Sequence, residues 1–126
     1  MDAVLRATVV PVLRARGFHG SFPHFHRVRE SQVDLLQFQY SSSSGGFVVE
    51  LSYADPAREN IVLHGDKELP PGRLRVNHTH RRFRLGATSE GGDHWFSFER
   101  ASPEAVAASV VPLIETQAEA WWAARG

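Results

Sequence analysis

Cysteine is absent from the 126 residues, which excludes a disulfide scaffold, a zinc ribbon, a Cys-x-x-Cys redox pair and a thiol nucleophile. Lysine is nearly absent too: Lys67 is the only one among 14 basic residues, so almost every positive charge is a planar arginine fork suited to bidentate pairing. Excess charge of either sign is missing, since the 14 basic residues are matched by 14 acidic ones. That balance argues against a general nucleic-acid binder, whose non-specific affinity comes from summed positive charge. No run approaches the ~18 apolar residues that span a bilayer, and no basic stretch precedes an apolar one near Met1. The expectation is a soluble, cytoplasmic protein with no membrane partner. Neither a Gly-x-Ser-x-Gly elbow nor a phosphate-binding glycine loop occurs, as Ser44-Gly45-Gly46 leads into a strand.

What is present reads as one domain, residues 1–126, large enough to bury a core without staples. Asp2 to Arg16 carries Leu5, Val9, Val12 and Leu13 at helical spacing, with Gly17 at the place of a left-handed cap. Pro11 should kink this helix. From Phe22 to Tyr53 the period changes to two. Leu36, Phe38 and Tyr40 alternate with Leu35, Gln37 and Gln39, and Phe47, Val49, Leu51 and Tyr53 alternate with Val48, Glu50 and Ser52. A hairpin with one apolar face results, closed by the Ser41 to Gly46 turn. An earlier strand, about His24 to Glu30, joins through Ser31-Gln32. Asp-Pro, His-Gly-Asp and Pro-Pro-Gly signals mark Ala54 to Gly72 as irregular. Two more strands are expected at Arg81 to Leu85 and His94 to Glu99. Ser102-Pro103-Glu104 reads as the start of a closing helix, with Val106, Val110, Leu113, Ile114, Gln117 and Trp121 on its buried face and a kink at Pro112. Trp95 and Trp121 should be largely buried and Trp122 should lie at the edge of the stripe.

The fold class is therefore α+β: an antiparallel sheet of four or five strands, with N- and C-terminal helices packed on one face. The order of several short motifs resembles a known family. A first helix ending in Leu13 to Gly17-Phe18, the strands Phe38-Gln39-Tyr40-Ser41 and Phe47 to Leu51, the segment Arg82-Phe83-Arg84-Leu85-Gly86, and Asp93-His94-Trp95-Phe96 together are similar to the bacterial domain of unknown function 4304 family. Phe96 stands where that family's Asp-x-Trp-Trp has its second tryptophan. The resemblance implies a helix-flanked antiparallel sheet and no established activity, substrate or cofactor.

Three features carry candidate chemistry. His24-Phe25-His26 and His78-Thr79-His80 are each His-x-His, a spacing that on a strand turns two imidazoles to one side and suits a metal. Arg73 to Arg84 holds five arginines and two histidines with no acid, a stretch suited to an acidic partner unless Asp66, Glu68, Glu90 or Asp93 neutralises it. Strand alternation, finally, sends Gln37, Gln39, Glu50 and Ser52 to the side of the sheet away from the helices, where Arg82 and Arg84 join them. The reading this favours is a non-enzymatic module that binds a protein or a small polar ligand through that open sheet face. It assigns binding to Gln37, Gln39, Glu50, Ser52, Arg82 and Arg84, with no catalytic residue, cofactor or metal, and leaves the oligomeric state open. The alternative is a metal-assisted hydrolase using the His-x-His pairs.

Overall fold

A computed structural model describes residues 1–42, 45–55, 71–79 and 81–125. The expectations for Ser43-Ser44, for Ile61 to Leu63, for Asp66 and Glu68, and for His80 lie outside the described residues.

The first helix forms as two pieces, α1 (Asp2–Thr8) and α2 (Val10–Ala15), meeting at Val9. Pro11 has no N–H for the Ala7 carbonyl, yet Val9 keeps helical dihedrals (φ −96°, ψ −41°), so the chain kinks and continues. It ends as the sequence suggests. Gly17 takes φ +91°, Phe18 N–H donates to the Leu13 carbonyl (3.0 Å) and Gly17 N–H to that of Arg14 (3.1 Å), the paired bonds of a Schellman cap.

Six strands follow: β1 (His19–Ser21), β2 (His24–Val28), β3 (Val33–Tyr40), β4 (Gly46–Ala54), β5 (Arg82–Arg84) and β6 (Phe96–Ser97). Every pairing is antiparallel, in the order β1-β2-β3-β4-β5, and β6 adds to the far end of β4. The strand count exceeds the expected four or five because the His19-Gly20-Ser21 edge is too short and too polar to show a period. Gly20 makes that edge possible: at φ +107° a Cβ would stand 2.6 Å from the His24 carbonyl oxygen.

The register from Leu36↔Leu51 to Tyr40↔Phe47 places the alternating apolar residues on the helix side, as the sequence implies. Phe25, Phe38, Phe47 and Leu51 there meet Leu5, Val9 and Leu13 of the first helices and Val106, Val110 and Ile114 of α3 (Pro103–Leu113). α1 packs on α3, so the N-terminal helix lies beside the first part of the closing one. The N-cap of α3 is Ser102, whose Oγ accepts from Ala105 N–H at 3.1 Å.

Beyond Pro112 the closing helix departs from the expected stripe. Residues Ile114–Ala118 form a π turn before α4 (Glu119–Arg125). One extra residue in the turn rotates everything after it by about 100°. The buried line therefore runs Val110, Ile114, Ala118, Trp122. Trp122, expected at the edge, is fully buried against Phe18 (ring centroids 5.1 Å), and its Nε1 donates to the Ser52 carbonyl at 2.9 Å. Trp121 stays buried but stacks on Phe83 at 5.9 Å, nearer the rim.

A charged knot ties α4 to the sheet. Asp34, fully buried on β3, accepts from Arg27, Arg29 and Gln32, and Gln32 also donates to the Trp122 carbonyl. Arg27 reaches on to Glu119 (2.6 Å), which Arg16 also holds (2.7 Å). With several partners satisfying each group, the desolvation cost of Asp34 is offset. Among the described residues no helix is long and apolar enough to cross a membrane.

Candidate functional site

The side of the sheet away from the helices is only partly open. Leu35, expected beside the glutamines, is fully buried there with Val33, Ala54, Leu74 and Val76. Leu74 and Val76 belong to a segment of two 3-10 turns, Pro71–Arg73 and Val76–His78, that crosses the face. Ser52 helps to fasten it: its hydroxyl meets that of Thr79 and donates to the Arg81 carbonyl at 2.8 Å. Ser52 is thus fully buried and occupied, in contrast to the exposed binding position read from alternation.

Register sets out the rest. Ser21↔His24, His24↔Gln37, Gln37↔Glu50 and Glu50↔Arg84 make one cross-strand row, and directly opposed residues share a face. The next row is His19, His26, Leu35, Ser52 and Arg82. The histidines of β2 and the polar residues of β3 to β5, separate features in the sequence, are neighbours on this side.

At the β4–β5 end the row is internally paired. Glu50, buried to 7% exposure, accepts from Arg84 Nε at 2.8 Å, while Arg84 also donates to Asp93 at 2.7 Å. Burial pulls against the charged form of Arg84, and Glu50 with Asp93 more than restores it, so its pKa is raised. Asp93 is held below the ordinary carboxylate range: desolvation, the largest single influence, is outweighed by the combined effect of donation from Trp95, the Arg84 charge and bond, and His94 N–H. Trp95 is 45% exposed, with the Arg84 guanidinium 5.5 Å from its ring centre and its Nε1 on Asp93. Its expected burial is corrected by alternation, since the next residue, Phe96, takes the inward side and stacks on Phe47 at 5.2 Å. Gln37 is half-buried, and Gln39 and Arg82 are exposed.

At the β1–β2 end a groove of about 440 Å3 opens between the hairpin and the crossing segment. Its walls include His24 and His26 from β2 and Arg73, Arg75, Asn77 and His78 from the turns, with Phe25 and Leu74 among its apolar lining. A Cβ on Gly72 would lie 3.6 Å from His26 Nε2, so the turn's backbone runs close beside that imidazole. His78 Nδ1 accepts from Arg75 N–H at 3.0 Å, which leaves the proton of the neutral ring on Nε2. No carboxylate is among the described lining residues. Arg73 and Arg75 are exposed and make no ion pair among the described residues.

The surroundings disfavour the charged form of two of these imidazoles. Burial lowers the pKa of His24, and the charges of Arg75 and His78 lower it further. Burial, His19 and Arg14 do the same to His26. His24 Nδ1 is buried without a hydrogen-bond partner among the described residues.

Three members of the two His-x-His motifs therefore reach one groove. Even so, no cluster of three or more His, Cys, Asp or Glu among the described residues could hold a metal ion, and the surrounding cations disfavour one. The groove's arginines and histidines were visible as motifs in the sequence. Their meeting was not, because it depends on where the chain returns after Ala54.

The chain matches no curated protein and no solved structure. A family model, described as "Domain of unknown function (DUF4304)", matches residues 9–124, nearly the whole chain, and the protein belongs to that family.

Proposed function

We propose that this domain is a non-enzymatic binding module whose groove takes a small anionic ligand. The observation that carries the reading is the lining itself: Arg73, Arg75 and three histidines face a cavity with no carboxylate among its described lining residues. Positive groups such as Arg73 and Arg75, which make no ion pair among the described residues, attract an anion, and arginine forks with ring N–H groups supply directed donors. A cavity of about 440 Å3 exceeds a bare oxyanion and lies within the usual range for small-molecule sites. Gln37 pairs across from His24 on β3 and is not among the groove's described lining residues. Glu50 and Arg84 are paired with each other, so their part is to close the row, while Gln39 and Arg82 lie outside the groove's lining.

The test is calorimetry and amide chemical-shift mapping with inorganic phosphate, sulfate and acetate at low ionic strength. Binding centred on residues 20–26 and 72–78 is the expected result. The Arg73→Ala/Arg75→Ala protein should stay folded and lose at least about tenfold in affinity, the equivalent of ~1.4 kcal/mol. Shifts spread evenly over the surface, or an undiminished affinity in the double variant, would remove the groove as the binding site.

A further inference from the structure

The groove's donors come from opposite walls. Arg73, Arg75 and Asn77 stand on the crossing turns, and His24 and His26 on the strand beneath. A carboxylate offers its lone pairs in one plane. A tetrahedral group with three or four terminal oxygens can accept from both walls at once.

His24 adds a second, independent observation. It lines the groove, yet its Nδ1 is buried with no partner among the described residues. Every described group facing it is cationic or neutral: Arg75 and His78 from the turns, His26 two residues along the same strand, Gln37 across on β3 and Ser21 across on β1. The carboxylate in its own row, Glu50, stands two strands away, about 10 Å at ordinary strand spacing, and is engaged by Arg84. Among the described residues nothing compensates a charge on His24, so its surroundings disfavour the charged ring. A doubly negative ligand in the groove supplies that compensation.

We propose that the groove binds a phosphoryl-type dianion and that His24 takes up a proton as the ligand enters, making occupancy proton-linked. This rests on the anion reading above and gives it a ligand class and a regulator. Arg73 and Arg75 supply charge at any pH. His24 supplies it only when the ligand is present or the medium acidic, so affinity increases as pH falls from about 8 towards 6.

Sulfate is the probe of choice, because it stays dianionic over that range whereas phosphate itself titrates. Sulfate should bind at least about tenfold more tightly than acetate. Calorimetry in buffers of different ionisation enthalpy should show net proton uptake near pH 7, with affinity increasing severalfold per pH unit of acidification and at most about tenfold for one proton. His24→Gln, checked for folding by circular dichroism, should still bind sulfate through the arginines but take up no more than about half as many protons. His26→Gln should keep most of the uptake. Equal affinity for sulfate and acetate overturns the tetrahedral ligand class. Sulfate binding without proton uptake, or uptake unchanged in His24→Gln, overturns the role of His24 while leaving the anion groove standing. Absence of binding by every anion overturns both.

Discussion

Removing the N–H of each adjacent indole in turn probes how the closing helix is phased. Trp122 is fully buried, packs on Phe18 at 5.1 Å and donates its Nε1 proton to the Ser52 carbonyl at 2.9 Å. Trp122→Phe keeps most of the apolar volume but loses that bond and leaves space beside the ring, at a cost of about 1–3 kcal/mol. Trp121 differs in one respect that matters here. Its Nε1 is buried with no partner among the described residues, so Trp121→Phe removes a group already paying a desolvation penalty and should fall within about 1 kcal/mol of the parent, on either side. Truncation to alanine widens the gap, with Trp122→Ala expected to cost about 3–5 kcal/mol and Trp121→Ala less, because Trp121 retains 9% exposure. Urea titrations followed by far-ultraviolet circular dichroism read the difference directly. With m of about 1–3 kcal/mol/M, a loss of ~2 kcal/mol in Trp122→Phe moves the midpoint by roughly 0.7–2 M. A Trp121→Phe protein less stable than Trp122→Phe would mean that the π turn at Ile114–Ala118 does not shift the helix face, and the stripe through Trp121 would stand.

The remaining expectations concern charge, caps and the exposed indole. Burial would raise the Glu119 carboxyl, but bonds from Arg27 and Arg16 outweigh it and hold the group below its usual range. Its contribution is therefore present above the unfolded value and disappears as pH falls through the folded one. Glu119→Gln should lower thermal stability at pH 7 and flatten the acid-side decline below about pH 4.5, by melting curves across pH. His24 and His26 carry lowered values for burial and neighbouring cations, so their contribution is present above the unfolded value and falls away as pH drops from about 6.5 towards the folded ones. Sulfate should restore more of the melting temperature at pH 5.5 than at pH 8, and equal restoration would contradict the linkage. Trp95→Ala, at a 45% exposed position, should cost under about 1 kcal/mol by chemical denaturation, whereas Ser102→Ala should cost about 1 kcal/mol through loss of the bond to Ala105 N–H.

Local rules carried much of the architecture. A period of two in Leu36 to Tyr40 and Phe47 to Tyr53 can bury only one face, so the β3–β4 pairing and the side that receives the helices were readable from residue order. Gly17 and Ser102 announced their caps because each satisfies backbone groups within a few residues of itself. Family membership was legible for the same reason, as its motifs are short runs in a set order. Where a result depended on residues distant in the chain, order along it was insufficient. Trp122 replaced Trp121 as the innermost indole because the turn after Pro112 gained a residue, and a helical wheel assumes that none is gained. Ser52 was assigned to the open face, Leu35 alternates onto the same side, and both are buried because Leu74, Val76 and Thr79 come back over it. The groove has the same origin: His24 and His26 lie about fifty residues before Arg73 to His78, and only the crossing of that segment over the β1–β2 hairpin puts arginine forks opposite imidazoles. Side-chain periodicity states which way a residue points, but what stands opposite it is decided by the packing of the whole chain.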